Sequence, residues 1–403
     1  MSILSGKNIL LGVTAGIAAY KTAHLTRLFV KAGAHVKVVL TPKAVDFVTP
    51  LTLSTLSKNP VFTKFVNDDE KNELWNSHVD LGLWADYMLI APATANTMAK
   101  MASGSANNLL LAVYLSAKCP VYLAPAMDLD MYKHPSTRQS LEQLATYGAT
   151  IIPAESGELA SGLVGEGRMA EPETIVSFME AHISKSLPLF GKKVLITAGP
   201  TYEAIDPVRY IGNHSSGKMG FEIAKQAARL GAEVVLISGP SAQKCDGLPI
   251  NRIDVTCAEE MYNAVFEHYD TVDIAIAAAA VADYKPSVVA SQKIKKKAGD
   301  FVIKLSRTKD ILSEMGKLKQ NQFLVGFALE TENEEENAIG KLERKNLDAI
   351  VLNSLQDKGA GFKANTNKIT VIDRQHNLTH FSLKSKQEVA VDIFNHIIQK
   401  IDA

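Results

Sequence analysis

The chain has 403 residues, 46% hydrophobic and 21% charged, the balance of an ordinary globular protein too long for a single core. Lysine plus arginine and aspartate plus glutamate each number 43, so no net field recruits nucleic acid or an anionic membrane, and any phosphate binding is local. Cys119, Cys245 and Cys257 are odd in number and lack ligand-like spacing, which argues against a disulfide framework and points to a cytoplasmic setting.

From the N-terminus, the strand-like run NILLGV (8–13) leads into a helical pattern from about Ile17 to Ala32. HVKVVLT (35–41), YMLIAP (87–92) and VYLAP (121–125) follow, and a helical stretch runs from about Pro172 to Ser184. Strands alternating with helices predict a doubly wound parallel sheet. At GKKVLITAGPT (191–201) the chain opens a second time, matching GKNILLGVTAG (6–16). The rhythm then repeats through a helix around Met219 to Leu230, EVVLISGP (233–240), DIAIAAAAVADY (273–284), FLVGFALE (323–330) and DAIVLN (348–353). The expected fold class is α/β, two doubly wound Rossmann-like domains at 1–184 and 191–403 joined by a linker at 185–190. The alanine-rich run Ile274 to Ala282 is far shorter than the ~20 residues that span a bilayer, so no membrane segment is expected.

GNHSSGK (212–218) matches seven positions of GxxxxGK[ST], but the eighth is Met219 rather than a magnesium-holding hydroxyl, and more than ten residues separate it from the preceding strand. An orthodox P-loop is rejected. The segment still suits an anion at a helix start, and its plainest reading is a capped helix with Ser215 or Ser216 as N-cap. In the first half, GVTAGIAAYK (12–21) is a strand-to-helix turn without GxGxxG, better suited to a mononucleotide than to a dinucleotide.

TAGPTYEAIDPVRYIGNHSSGKMG (197–220), AAVADY (279–284), KIKK (293–296), GFALET (326–331) and KLERKNLD (341–348), in this order, resemble the phosphopantothenate-cysteine ligase half of the bifunctional bacterial coenzyme A biosynthesis enzymes. The resemblance implies activation of the 4'-phosphopantothenate carboxylate by CTP with magnesium, then displacement of CMP by cysteine. It places Asn213 at the acyl-cytidylate and Lys293 at a phosphate or the second step. CTP contacts would come from Ala277, Ala278, Ala279, Asp283, Lys293, Lys309, Asp310, Ile311, Leu312, Phe327, Lys341 and Lys345. Without the resemblance, KIKKK reads as a solvated basic run, Lys341 and Lys345 as a surface i,i+4 pair, and Phe327 as core.

In the first half, residues 76–110, APAMDLDMYKHP (124–135) and SGLVGEGRM (161–169) resemble the flavin-containing cysteine decarboxylases, specifically the decarboxylase half of the same bifunctional family. Two successive enzymes would then be fused, the second half making what the first consumes. The resemblance implies FMN held by Thr14, Gly16, Ile17, Thr41, Ala91, Pro92, Ala93, Thr94 and Asn96. His78, in a context that includes Trp84, would be the active-site histidine, suited to proton transfer near neutral pH. The cofactor would provide the electron sink that an N-acylcysteine lacks when it loses CO2. Assembly into a homo-oligomer, up to a dodecamer of trimers and dimers, is also implied.

Two positions depart from the family pattern. PAMDLDMY (125–132) stands where the family has PxMNxxMW, so Asp128 replaces an asparagine expected to bind the substrate carboxylate; an ionised aspartate repels it unless protonated or paired. Ser161 replaces a proton-donating cysteine, and an alcohol is a far weaker acid than a thiol of pKa near ~8.5. Asp128 with a raised pKa, a held water or Tyr132 is the expected substitute donor, because Met127, Met131, Gly165, Gly167 and Arg168 keep the surrounding pattern. A flavin-binding module with impaired decarboxylation, and a P-loop nucleotidase, are the competing classes.

Overall fold

In the computed structural model, residues 2–66, 75–159, 162–296, 301–330, 332–354 and 364–401 are described below. The chain divides into two compact units, residues 1–184 and 185–403.

The N-terminal unit holds strands β1 (Asn8–Val13), β2 (His35–Leu40), β3 (Val61–Phe62), β4 (Tyr87–Ala93), β5 (Val121–Pro125) and β6 (Thr150–Ile151), all parallel in the order β3-β2-β1-β4-β5-β6. The four inner strands, β2, β1, β4 and β5, are largely buried on both faces and read as near-continuous apolar runs. One face packs on α1 (Lys21–Lys31) and α2 (Pro50–Ser57) through Leu25, Phe29 and Leu53. The other packs on α3 (His78–Trp84), α4 (Ala95–Ala102) and α5 (Leu109–Ser116) through Leu81, Met98, Met101 and Leu110. Ser77 and Asn108 cap α3 and α5 with their side chains. The short α6 (Leu129–Lys133) and α7 (Pro135–Thr146) follow β5. An antiparallel hairpin, β7 (Glu155–Glu158) with β8 (Val164–Arg168), precedes α8 (Pro172–Lys185), whose Ile175, Met179 and Ile183 enter the first core.

The C-terminal unit repeats that order. Strands β9 (Lys193–Ala198), β12 (Glu233–Ser238), β13 (Ile250–Asp254), β14 (Ile274–Ala277), β17 (Phe323–Glu330) and β18 (Ala349–Ser354) form a parallel set ordered β13-β12-β9-β14-β17-β18. β20 (Thr370–Asp373) and β21 (Leu378–His380) extend it antiparallel. Two hairpin-like pairs stand apart from the sheet, β10 (Tyr202–Ala204) with β11 (Tyr210–Gly212) and β15 (Tyr284–Pro286) with β16 (Leu305–Arg307). A third small pair joins β19 (Thr366–Asn367) to β22 (Lys384–Ser385). Helices α9 (Lys218–Arg229) and α13 (Lys386–Ile401) cover one face; α10 (Ala258–His268), α11 (Ile311–Leu318) and α12 (Glu334–Arg344) cover the other. Within the segment expected as a linker, Leu189 is buried in this unit's core and its N–H donates to Leu230 O at 2.9 Å.

The fold therefore matches the expected class. Two local expectations change. The N-cap of α9 is Gly217 at φ 78°, not Ser215 or Ser216: a left-handed residue turns the chain into the helix, while the two serine hydroxyls accept from Gly217 N at 3.2 Å and Lys218 N at 3.5 Å. The run 273–284 ends as a regular strand at Ala277, although the N–H groups of Ala278 and Ala280 still bond to Thr197 O and Gly199 O along β9 and the residues that follow it.

Candidate active sites

In open α/β sheets of this order, ligands bind beyond the carboxyl ends of the strands where the order reverses, here between β1 and β4 and again between β9 and β14. Each unit has cavities at that place.

In the N-terminal unit, a cavity of about 510 Å³ is lined by Thr41 after β2, Thr94 and Asn96 after β4, Lys43, Lys100 and Asn107. A second, of about 580 Å³, is lined by Gly16, Ile17, Lys21, Asp128, Glu158 and Arg168. Ala126 and Met127, just after β5, border both. Thr14 is fully buried behind them, its hydroxyl donating to Pro92 O at 2.6 Å and lying 3.2 Å from Thr94 Oγ1. Ala91, Pro92 and Ala93 are buried within β4. Thr14 and these three residues thus shape the wall from behind. Together the two cavities have the size and the mixed apolar and polar lining of a cofactor site.

The second cavity has one cationic side. Lys21, 7% exposed as a residue, donates through Nζ to Met169 O at 3.1 Å and pairs with Glu171 at 2.9 Å. Glu171 also pairs with Arg168. The hydrogen bond from Lys21 is the main reason that the Glu171 carboxyl sits below its ordinary range. Asp128 begins α6, with Oδ1 accepting from Leu129 N at 2.6 Å. Tyr132, named above as a substitute acid, is pushed up by burial and then by Glu166, which makes its hydroxyl a poorer proton donor. Ser161 lies outside the described residues.

His78 lines neither cavity. It occupies the first turn of α3 under Ser77, its ring edge-on to Phe65 and Trp75 with centroids 6.3 and 6.4 Å away. Its Nδ1 is buried and has no hydrogen-bond partner among the described residues.

In the C-terminal unit, a cavity of about 470 Å³ gathers Ala277, Ala279, Asp283, Lys309, Asp310, Ile311, Leu312, Phe327, Lys341 and Lys345. An adjoining cavity of about 420 Å³ contains Asn213, Ser215 to Gly220 and Ala278, and shares Ala279, Asp283, Phe327 and Lys341 with the first. Asn213 Nδ2 donates to Ala280 O and Val281 O, both at 3.1 Å, so its amide is aimed at the AAVADY segment. Lys341 Nζ donates to Phe327 O at 2.7 Å, and burial followed by repulsion from Lys345 lowers its pKa. Lys345 pairs with Asp310, which also caps α11 through Ser313 N. Burial pushes the Asp310 carboxyl up, but the Lys345 and Ser313 hydrogen bonds outweigh it and leave it below its ordinary range. Lys293 is exposed and lines neither cavity.

Sequence reasoning missed Lys386, Asn353 and Asn367, which wall the second of these cavities. Lys386 is 4% exposed at the start of α13. In SLKSKQE it reads as one more lysine of a solvated run; only the packing of α13 beside α9 turns it inward.

Among the described residues, no group of three or more His, Cys, Asp or Glu side chains could hold a metal ion by itself, and no helix is long and apolar enough to cross a membrane.

Comparison with known proteins gives each unit a relation. A flavoprotein family model matches residues 2–184, and the model of the DNA/pantothenate metabolism flavoprotein C-terminal domain matches residues 189–401. The chain is 46% identical over 398 residues to the coenzyme A biosynthesis bifunctional protein CoaBC of Bacillus subtilis (strain 168), covering 98% of this chain and 97% of that one. It is 47% identical to the protein of the same name from Haemophilus influenzae, covering 98% of both. It is also 56% identical over 356 residues to a protein named cysteine/cysteine sulfinic acid decarboxylase, from an unknown prokaryotic organism, covering 87% of this chain and 99% of that one. Spanned almost end to end by the bifunctional relatives, the chain belongs to the family of coenzyme A biosynthesis bifunctional proteins, enzymes in which a flavoprotein decarboxylase domain precedes a ligase domain.

Proposed function

We propose that the C-terminal unit joins 4'-phosphopantothenate to cysteine at the expense of CTP and that the N-terminal unit, with FMN, decarboxylates the product to 4'-phosphopantetheine. The observation that carries the ligase half is the Asn213 amide, held against the Ala280 and Val281 carbonyls in a cavity that adjoins the expected nucleotide residues. The base and ribose lie among Phe327, Lys309 to Leu312 and the small Ala277 to Ala279 backbone. The substrate carboxylate attacks the α-phosphorus of CTP, releasing pyrophosphate; the cysteine amine then attacks the acyl carbon, releasing CMP and a proton. Lys341 and Lys345 offset the nucleotide's charge, and Lys293 serves the acyl-cytidylate. Magnesium would be held chiefly by the phosphates of CTP, with Asp283, which faces both cavities, as its carboxylate ligand.

In the N-terminal unit the two joined cavities suit FMN, with Thr41, Thr94, Asn96, Gly16 and Ile17 against it. When bound, FMN supplies a two-electron sink that accepts electrons from the thiol side and returns them after CO2 leaves. The residues bind and orient: the Lys21 and Arg168 side faces the departing carboxylate, and Asp128 stands nearby with Oδ2 as a proton carrier in place of Ser161. The net step consumes one proton and releases CO2, leaving the thiol intact. Among the described residues His78 lines neither of the two cavities assigned to FMN and substrate, which supports a site completed by a second copy and thus a homo-oligomer. We place the enzyme in the cytoplasm.

Purified protein incubated with 4'-phosphopantothenate, cysteine, CTP and magnesium is expected to yield 4'-phosphopantetheine and CMP by mass spectrometry. Accumulation of 4'-phosphopantothenoylcysteine instead would mean that Asp128 and Ser161 have stalled the decarboxylase; no CMP at all would refute the ligase.

Asp128 also favours a second reading of the first site. Free cysteine presents an ammonium where the acylated substrate has a neutral amide, and a carboxylate is the electrostatic match for an ammonium. The 56%-identical relative carries a name for decarboxylation of that amino acid. Competition between the two substrates decides it: cysteamine as the main product, shifting toward 4'-phosphopantetheine in Asp128→Asn, supports the cysteine reading.

A further inference from the structure

Asn213 and Lys293 are far apart in the sequence, yet one buried carboxylate ties together the segments that carry them. Asp206, 2% exposed, sits in the turn that links β10 to β11. Its Oδ1 accepts from Val208 N at 2.8 Å and Arg209 N at 2.9 Å, which shapes the turn.

Asp206 Oδ2 accepts from Arg209 Nε at 3.0 Å, from Arg209 Nη2, and from Ile294 N at 3.1 Å. Arg209 Nη2 in turn donates to Ile294 O at 2.9 Å. The peptide groups of Ile294, the neighbour of Lys293, are therefore gripped on both sides by one ion pair. Ala290 N adds a bond to Ile205 O at 3.0 Å. Arg209 immediately precedes β11, and Asn213 immediately follows it, so the pair ties the Lys293 segment to the strand that leads into Asn213.

We propose that Asp206, acting through Arg209, is a positioning residue of the ligase that holds the Lys293 segment in place for the cysteine-addition step; this rests on the acyl-cytidylate reading above. The side-chain bonds of Asp206 go to its own turn and to Ile294, and none reaches the sheet, so releasing them frees a loop rather than the core. The Arg209 hydrogen bond, foremost, holds the Asp206 carboxyl well below its ordinary range, so the grip keeps its charge throughout the neutral pH range.

The test compares full-length wild type with Asp206→Asn, which keeps an acceptor for the turn but removes the charge that holds Arg209. Trypsin cleavage after Lys293, Lys295 or Lys296 is expected to quicken about tenfold as the segment opens locally. With acyl-cytidylate preformed from 4'-phosphopantothenate and CTP, CMP release on adding cysteine is expected to slow about a hundredfold, while KM for CTP stays within about twofold. Unchanged cleavage with an unchanged cysteine step overturns the proposal, as does an equal loss of pyrophosphate and CMP release. If Asp206→Asn does not fold, Arg209→Lys, which keeps the charge and loses the fork, is read in the same way. Wild type that forms no acyl-cytidylate would refute the ligase reading instead, and the trypsin comparison would still decide the grip.

Discussion

Among the described residues His78 has a buried Nδ1 with no partner; it stands edge-on to the stacked Phe65 and Trp75 rings and outside the two cavities at the sheet's switch point. A histidine kept for packing would tolerate an amide of similar size, whereas one that moves protons would not. His78→Asn is expected to cut decarboxylation by about 10²–10⁴ and leave CTP-dependent CMP release unchanged, measured on the same preparation. At this scale the sequence was informative where a residue sits in a dense motif. Asp283, Phe327 and Lys341 line both cavities of the C-terminal unit, and Asn213 lines the second. It was silent on Lys386 and Asn367, which enter through the packing of α13 and the β19 strand, elements with no motif of their own. Lys293, by contrast, was legible as a basic residue, but its tie to the DPVR turn depends on side-chain bonds across 88 positions, from Asp206 to Ile294.

Among the elements, α9 approaches β9 more closely than any side chain would allow. A Cβ on Gly220 would lie 2.6 Å from Ala198 Cβ and 3.1 Å from Thr197 O. Gly220→Ala must push the helix and the loop before it outward, at a cost of about 1–3 kcal/mol, with a raised KM for CTP; thermal unfolding of the ligase unit and steady-state kinetics check both. At the far side of the same unit, β20 is joined to α13 by Asp373 and Lys400, 2.7 Å apart. Burial pushes the Asp373 carboxyl up, but hydrogen bonds from Lys400 and Asn377 prevail and hold it at about 2. Its folded value lies below the unfolded one, so its stabilisation is present above about pH 4 and is lost as pH falls through about 2. Asp373→Asn is expected to cost about 2 kcal/mol at pH 7 and almost nothing once the pH is below about 2, measured by urea unfolding across pH. The strands and helices were readable because their apolar periods are long. The early end of β14 was not, since nothing in a run of alanines marks where regular pairing with β9 gives way to single bonds with the residues after it, Gly199 to Thr201.

For the whole molecule, each unit has its own sheet and its own pair of cores. Residues 1–184 and 185–403 produced separately are expected to fold, the first taking up FMN with a flavin absorbance band and the second converting CTP to CMP. A mixture of the two should make the same final product as the full chain; failure of either piece to fold would show that the units depend on each other. The double opening at residues 6–16 and 191–201 made this division legible, because a buried strand and a glycine turn begin each sheet.

The contiguity of the units also orders their history within a single round of synthesis. The first sheet is completed by β6 at residue 151, and α8 closes its core by residue 185, before any strand of the second sheet has left the ribosome. The flavoprotein unit is thus free to fold as an unencumbered piece, with no competing strands of the second sheet yet available to pair with its own.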